Sequence, residues 1–80
     1  MKCNLLLFGI AAEIVGTNEL TIDIVKDSNV LGLKKILIDT YVGFKNVDQF
    51  AIAVNESYAS DETVIEKNDI IAIIPPVSGG

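Results

Sequence analysis

IIAII, residues 70 to 74, runs directly into PPVSGG, residues 75 to 80, and the reading of this stretch decides the fold. Five consecutive apolar residues, four of them isoleucine, favour a strand. With no polar residue alternating among them, they predict a strand buried on both faces in the middle of a sheet. Pro75 and Pro76 cannot donate to a ladder, so the strand has to stop at Ile74. The segment after the prolines is short and made of small residues: a frayed end or the working part of the molecule.

The matching run lies at the other end of the chain. Lys2 to Phe8 is apolar enough to predict a second strand buried on both faces. After it, Ala11 to Val15 can form a helical turn stopped by Gly16, with Thr17-Asn18 as turn residues. Leu20, Ile22 and Ile24 then alternate with Thr21 and Asp23, which predicts a half-buried strand pairing with the first as a hairpin. Ser28 is the predicted N-cap of a helix in which Val30, Leu33, Leu37 and Tyr41 recur at steps of three and four, with Lys34, Lys35 and Asp39 between them. That helix is expected to end near Gly43, and Gly32 inside it costs about 1 kcal/mol relative to Ala.

Phe50, Ile52 and Val54 alternate again, and Asn55-Glu56 supplies a tight turn into a short Tyr58-Ala59 strand. Lys67-Asn68-Asp69 turns the chain into residues 70 to 74. The two most apolar strands thus lie at opposite ends of the sequence. Pairing them in parallel at the centre, with one main helix across a face, gives an α+β fold of the β-grasp, ubiquitin-like kind with a mixed sheet of about five strands. Residues 1–74 form the domain, and 75–80 an extended C-terminal tail.

Eighty residues suffice for one small core, since chains of this size bury only about 60% of their unfolded surface. A formal charge of −5 repels nucleic acid and anionic lipid and suits a basic partner. The apolar run from Leu5 to Ala12 is too short to span a bilayer, and Lys2 alone makes a poor leader, so a soluble cytoplasmic protein is expected. Cys3 is the lone cysteine, which excludes an internal disulfide and a thiol-bound metal, and its place in a strand makes it a core residue. The sequon Asn55-Glu56-Ser57 matters only in a secreted protein and reads as a turn.

The chain has no histidine, which removes the commonest general base and the commonest metal ligand together. Asp61, Glu62, Glu66 and Asp69 lack the spacing of a calcium loop and read as a solvated face. Gly9, Gly16, Gly32 and Gly43 form no phosphate-binding pattern. No cofactor bound by the chain is expected, and no metal.

The tail remains. Pro75-Pro76 favours an extended course, and six residues at about 3.1 Å each reach roughly 19 Å. Gly79 and Gly80 carry no side chain to obstruct a narrow channel, so the carboxylate of Gly80 is the group that would arrive in a partner's active site. A carboxylate is inert until activated. ATP on a separate enzyme can convert it to an acyl adenylate, and a sulfur nucleophile can then displace AMP to leave a thiocarboxylate. Such a group is ionised and nucleophilic at neutral pH without a neighbouring base.

LLLFGIAAEIVGT at Leu5–Thr17, AVNES at Ala53–Ser57 and NDIIAIIPPVSGG at Asn68–Gly80 together resemble the small subunit of molybdopterin synthase, the sulfur-carrier family of molybdenum cofactor biosynthesis. The resemblance implies a β-grasp fold and a non-catalytic, sulfur-donating role. It implies that Gly80 is adenylated by a ubiquitin-activating-enzyme-like adenylyltransferase using ATP and is then thiocarboxylated. The tail, with Val77, Ser78 and Gly79, would enter the large synthase subunit and pass sulfur to cyclic pyranopterin monophosphate. Two small and two large subunits would form a heterotetramer. The family's apolar contact with the large subunit falls on Phe8, Tyr58 and Ile74 beside Pro75 and Pro76, although Phe8 and Ile74 could equally be core residues. Ala12 stands where many members carry arginine, so that arginine's contacts do not carry over. Three other readings stay open. One is the sulfur carrier for the thiamine thiazole, against which Pro75-Pro76 and the chain length argue; the others are a ubiquitin-like modifier of lysines and a tail-independent interaction domain.

Overall fold

Apolar residues at alternate positions and one amphipathic helix produce the fold seen in the computed structural model, which describes residues 1–45 and 49–76. Five strands form one sheet in the order β2-β1-β5-β3-β4. Strand β1 (Lys2–Leu7) and strand β5 (Ile70–Ile74) lie at its centre and run parallel, with Leu5 opposite Ile71 and Leu7 opposite Ile73. Strand β2 (Glu19–Asp23) flanks β1 antiparallel, and β3 (Ala51–Val54) flanks β5 antiparallel, with β4 (Ser57–Tyr58) at the far edge. The predicted β-grasp topology, with the two ends of the chain paired in parallel at the centre, is the one observed.

Helix α1 (Ile10–Val15) occupies the connection between β1 and β2, so these strands pair without a tight hairpin turn. It stops at Gly16, whose left-handed backbone (φ 91°) places its N–H on the Ala12 carbonyl at 2.8 Å. Helix α2 (Val30–Thr40) lies across one face of the sheet and buries Val30, Leu33 and Leu37. These meet Leu5, Leu7, Ile71 and Ile73 from the central strands, joined by Ile65 and Phe44.

Three expectations need correction. The central strands are buried on one face, not two: Cys3, Leu5 and Leu7 point into the core, while Lys2, Asn4 and Phe8 are exposed. Ile71 and Ile73 are likewise buried and Ile70 is half-exposed. A single helical layer covers only one side, so the apolar residues on the other side are left bare. Second, α2 is capped by Asn29 and not Ser28. The Asn29 Oδ1 accepts the Gly32 N–H at 2.9 Å, whereas the Ser28 carbonyl accepts the Ile65 N–H at 2.8 Å.

Third, α2 ends at Thr40 rather than near Gly43. Tyr41 is extended, and a short 3-10 turn, Val42–Phe44, drives Phe44 into the core. There its ring meets Phe50 edge-on at 5.5 Å and Tyr41 at 6.2 Å, contacts that a continued helix would not make. At the other end of the sheet, Asn55 and Glu56 both adopt positive φ (51° and 72°), which is the tight-turn geometry expected between β3 and β4. The short fourth strand is Ser57–Tyr58, one residue earlier than expected, with the Ala59 N–H still bonded to the Ile52 carbonyl at 2.9 Å.

The Asn29 cap gives a direct test. Asn29→Ala removes the acceptor for Gly32 and is expected to cost about 1 kcal/mol in urea unfolding, with Ser28→Ala near neutral. Equal losses for the two variants would return the cap to Ser28.

Candidate functional site

Strand register shows which side chains share the bare face of the sheet. Leu6 lies opposite Ala72 on β5 and Glu19 on β2; Ala53 lies opposite Ala72 and Tyr58; Ala51 lies opposite Ile74. Residues paired in this way point to the same side. The face divides into two halves. Over β2 and the start of β1 it is polar: the Thr21 hydroxyl donates to Asn4 Oδ1 at 3.1 Å, and Lys2 pairs with Asp23 at 3.4 Å. Over β5, β3 and β4 it is apolar and holds a groove of about 370 Å³. Leu6 and Phe8 line one side, Tyr58 and Glu56 the other, with Ile70, Ala72 and Ile74 of β5 and Ala53 of β3 between them.

The structure places the described partner-binding candidates on this face or at its edge. Phe8 is 50% exposed and Tyr58 78% exposed, while Ile74 and Pro75 are half-buried and Pro76 is exposed. Phe8 is therefore not a core residue. Val77, Ser78, Gly79 and Gly80 lie outside the described residues. Leu6, Ala53, Ile70 and Ala72 escaped sequence reasoning, because period-two alternation is invisible when both faces of a strand carry apolar residues.

The root of the tail is braced. The Phe8 N–H bonds the Ile73 carbonyl at 3.4 Å, which extends the central pairing by one residue. Gly9 then takes a positive φ of 53°, and a Cβ there would stand 3.0 Å from Pro75 Cγ. The chain thus passes against Pro75 at a place where a side chain would press it aside. Gly9→Val is expected to displace Pro75 and destabilise the protein by about 1–3 kcal/mol, read as a lower urea midpoint. A midpoint equal to the parent's would show that the brace is slack.

Other candidate groups have structural employment. Asp61 pairs with Lys34 at 2.7 Å. Asp69 accepts from Asn55 Nδ2 and from the Glu66 N–H, both at 2.8 Å, and ties the β3–β4 turn to the start of β5. Among the described residues no group of three or more His, Cys, Asp or Glu could hold a metal ion. No helix among them is long and apolar enough to cross a membrane.

Cys3 is buried in the core as expected. Burial is the main reason its thiol is pushed above the ordinary 9.0; the charges of Asp69 and Asp23 push the same way, and the N-terminal ammonium opposes them. Because the fold favours the protonated thiol, its contribution is intact below 9.0 and is lost as pH rises through the folded value. Stability is therefore expected to fall above pH 9 more steeply in the parent than in Cys3→Ala. Thiol reagents should label native Cys3 only as fast as the protein opens. Rapid labelling in native buffer would contradict its burial.

A ubiquitin-like β-grasp protein with a bare apolar sheet face and a proline-rooted C-terminal segment is the class that this geometry defines. The model of the ThiS family matches residues 5–80, and the chain belongs to that family. It is 39% identical to the molybdopterin synthase sulfur carrier subunit of Dictyostelium discoideum, over 95% of this chain and 93% of that protein. Among solved structures it is similar to small archaeal modifier protein 1 of Methanosarcina acetivorans, with a TM-score of 0.82 and 26% identity over 99% of this chain and 96% of that one. It is also similar to a chain in the complex of subunits 1 and 2 of molybdopterin-converting factor from Helicobacter pylori, with a TM-score of 0.70 and 26% identity over the whole of both chains. The resemblance read from the sequence is thereby borne out.

Proposed function

We propose that this chain is the sulfur-carrying small subunit of a molybdopterin synthase. The observation that carries the reading is that β5 runs without a break from the apolar groove into Pro75 and Pro76, so the docking surface and the root of the tail are one strand. The sulfur carrier relative and the subunit complex of the Helicobacter pylori protein support it. In this reading the chain is not catalytic on its own, and it works in the cytoplasm.

The Gly80 carboxylate attacks the α-phosphorus of ATP on an adenylyltransferase of the ubiquitin-activating kind and expels pyrophosphate. Hydrosulfide, or a donor persulfide whose S–S bond a thiol then reduces, adds to the acyl carbon, AMP leaves, and the C-terminus becomes a thiocarboxylate. The bare face docks on the large synthase subunit in a heterotetramer of two small and two large subunits. Gly79 and Gly80 pass through a narrow entrance, the thiocarboxylate sulfur bonds to a carbon of cyclic pyranopterin monophosphate, and water then cleaves the acyl–sulfur bond, returning Gly80 as a carboxylate. Two charged carriers are consumed for each dithiolene formed. The chain itself holds neither metal nor nucleotide; ATP belongs to the activating enzyme.

The test is intact mass after incubation with the activating enzyme, ATP and a sulfur donor. A gain equal to one oxygen-for-sulfur exchange is expected, and an unchanged mass overturns the reading. The likeness to small archaeal modifier protein 1 favours a second reading, attachment of Gly80 to lysines of other proteins. It predicts covalent conjugates in extracts of the source cells, which disappear when Gly80 is removed.

A further inference from the structure

We propose that the groove on the bare sheet face is a hole for a single bulky apolar side chain of the large subunit, that this side chain is flanked there by basic residues, and that Ala53 and Ala72 set the hole's depth. The inference rests on the docking reading above and adds the chemistry that the partner has to present.

Ala53 and Ala72 face each other directly across the β3–β5 ladder. Opposite Cβ atoms on one face stand about 5 Å apart, so two methyl groups side by side leave a dip wherever their neighbours are larger. Here they are larger on β1, on β4 and along β5, while Ala51, two residues along β3, leaves that side low. Leu6 stands beyond Ala72 on β1, Tyr58 beyond Ala53 on β4, and Ile70 and Ile74 lie two residues either way along β5. A flat apolar sheet would suit a flat partner; a floor of two alanines inside a rim of large side chains suits an inserted knob. Burying one Leu- or Phe-sized side chain there is worth roughly tenfold to a hundredfold in affinity, the scale of an interface hot spot.

The rim supplies the electrostatics. Glu56 lines the groove on the β4 side, and Glu19 stands across from Leu6 on the same face of the sheet. Among the described residues, no basic one lines the groove. A second copy of this chain is therefore a poor occupant, since it would set Glu56, Glu19 and a net charge of −5 against their like. A knob with lysine or arginine beside it matches both the shape and the charge.

The experiment titrates this chain into the purified large synthase subunit of the same organism, by calorimetry at low and at physiological salt. Ala72→Leu fills the floor and Tyr58→Ala removes an exposed wall; each is expected to weaken binding about tenfold or more, with thermal stability near the parent's. Glu56→Lys is expected to weaken binding and to flatten its salt dependence. Asp39→Asn, on the exposed surface of α2, should bind as the parent does. If Ala72→Leu binds like the parent while Ile74→Glu does not, the face docks without insertion and the hole is refuted. If the parent itself does not bind, the docking reading falls along with the hole. Sulfur charging does not involve the large subunit, so the mass assay judges the proposed function separately.

Discussion

A chain lacking Gly80, or carrying one extra residue after it, takes up no sulfur in the charging assay, while its melting temperature stays with the parent's. The expectation follows from the division of labour in the molecule. Every described core contact lies between Met1 and Ile73, and β5 ends at Ile74. Removing one residue six positions beyond that strand should change stability by no more than about 0.5 kcal/mol. The proposed chemistry has no substitute for the missing group, since side-chain carboxylates such as Asp61 and Asp69 are held in the body of the fold by Lys34 and Asn55. The loss is therefore complete rather than graded. Retained charging in the truncated chain would place the sulfur somewhere other than Gly80. A large drop in melting temperature would make the tail a structural element instead.

The second large effect is expected in the core. Phe44→Ala should destabilise the protein by about 3–5 kcal/mol, measured by urea unfolding. Phe44 has no exposed surface and sits edge-on between Tyr41 and Phe50, so its removal leaves a void in the core and breaks both ring contacts. At about 0.05–0.15 kcal/mol per residue, 80 residues hold roughly 4–12 kcal/mol in total, and a loss of this size leaves much of the population unfolded near 37 °C. Tyr58→Ala, on the bare face, is the contrast, with an expected change within about 0.5 kcal/mol. If Phe44→Ala costs less than about 1.5 kcal/mol, the 3-10 turn collapses into the gap and the aromatic cluster is not a keystone.

The topology was legible because its signals were unusually plain. Two apolar runs at opposite ends of the chain and one run of three- and four-residue steps leave few arrangements that bury both. Burial was misread because the cue for a strand covered on both sides, an unbroken apolar run, is also the cue for a strand whose bare side is reserved for another molecule. Leu6, Ile70 and Ala72 stand on the bare side, where the proposed docking gives that second reason. The cap was misread because Ser28 and Asn29 are both good acceptors, and only the turn geometry decides which one faces the Gly32 N–H. The end of α2 was misread because the three- and four-residue spacing continues past Thr40 to Tyr41 even though the backbone has already left the helix. The chemistry proposed for the tail rests on composition, since a chain without histidine lacks the commonest general base.

The central position of β5 also bears on how the carrier withstands being used. A partner that draws the tail into a channel, and later releases it, pulls along the axis of the strand to which the tail is attached. β5 is held on one side by β1 and on the other by β3, with ladder bonds that cross the pull, slanted toward β1 and perpendicular toward β3. Such a force loads all of those bonds together in shear rather than opening them one after another, as it would on an edge strand being peeled away. On the proposed function the tail would be moored to a strand paired on both sides, so insertion and withdrawal need not unravel the protein that carries it.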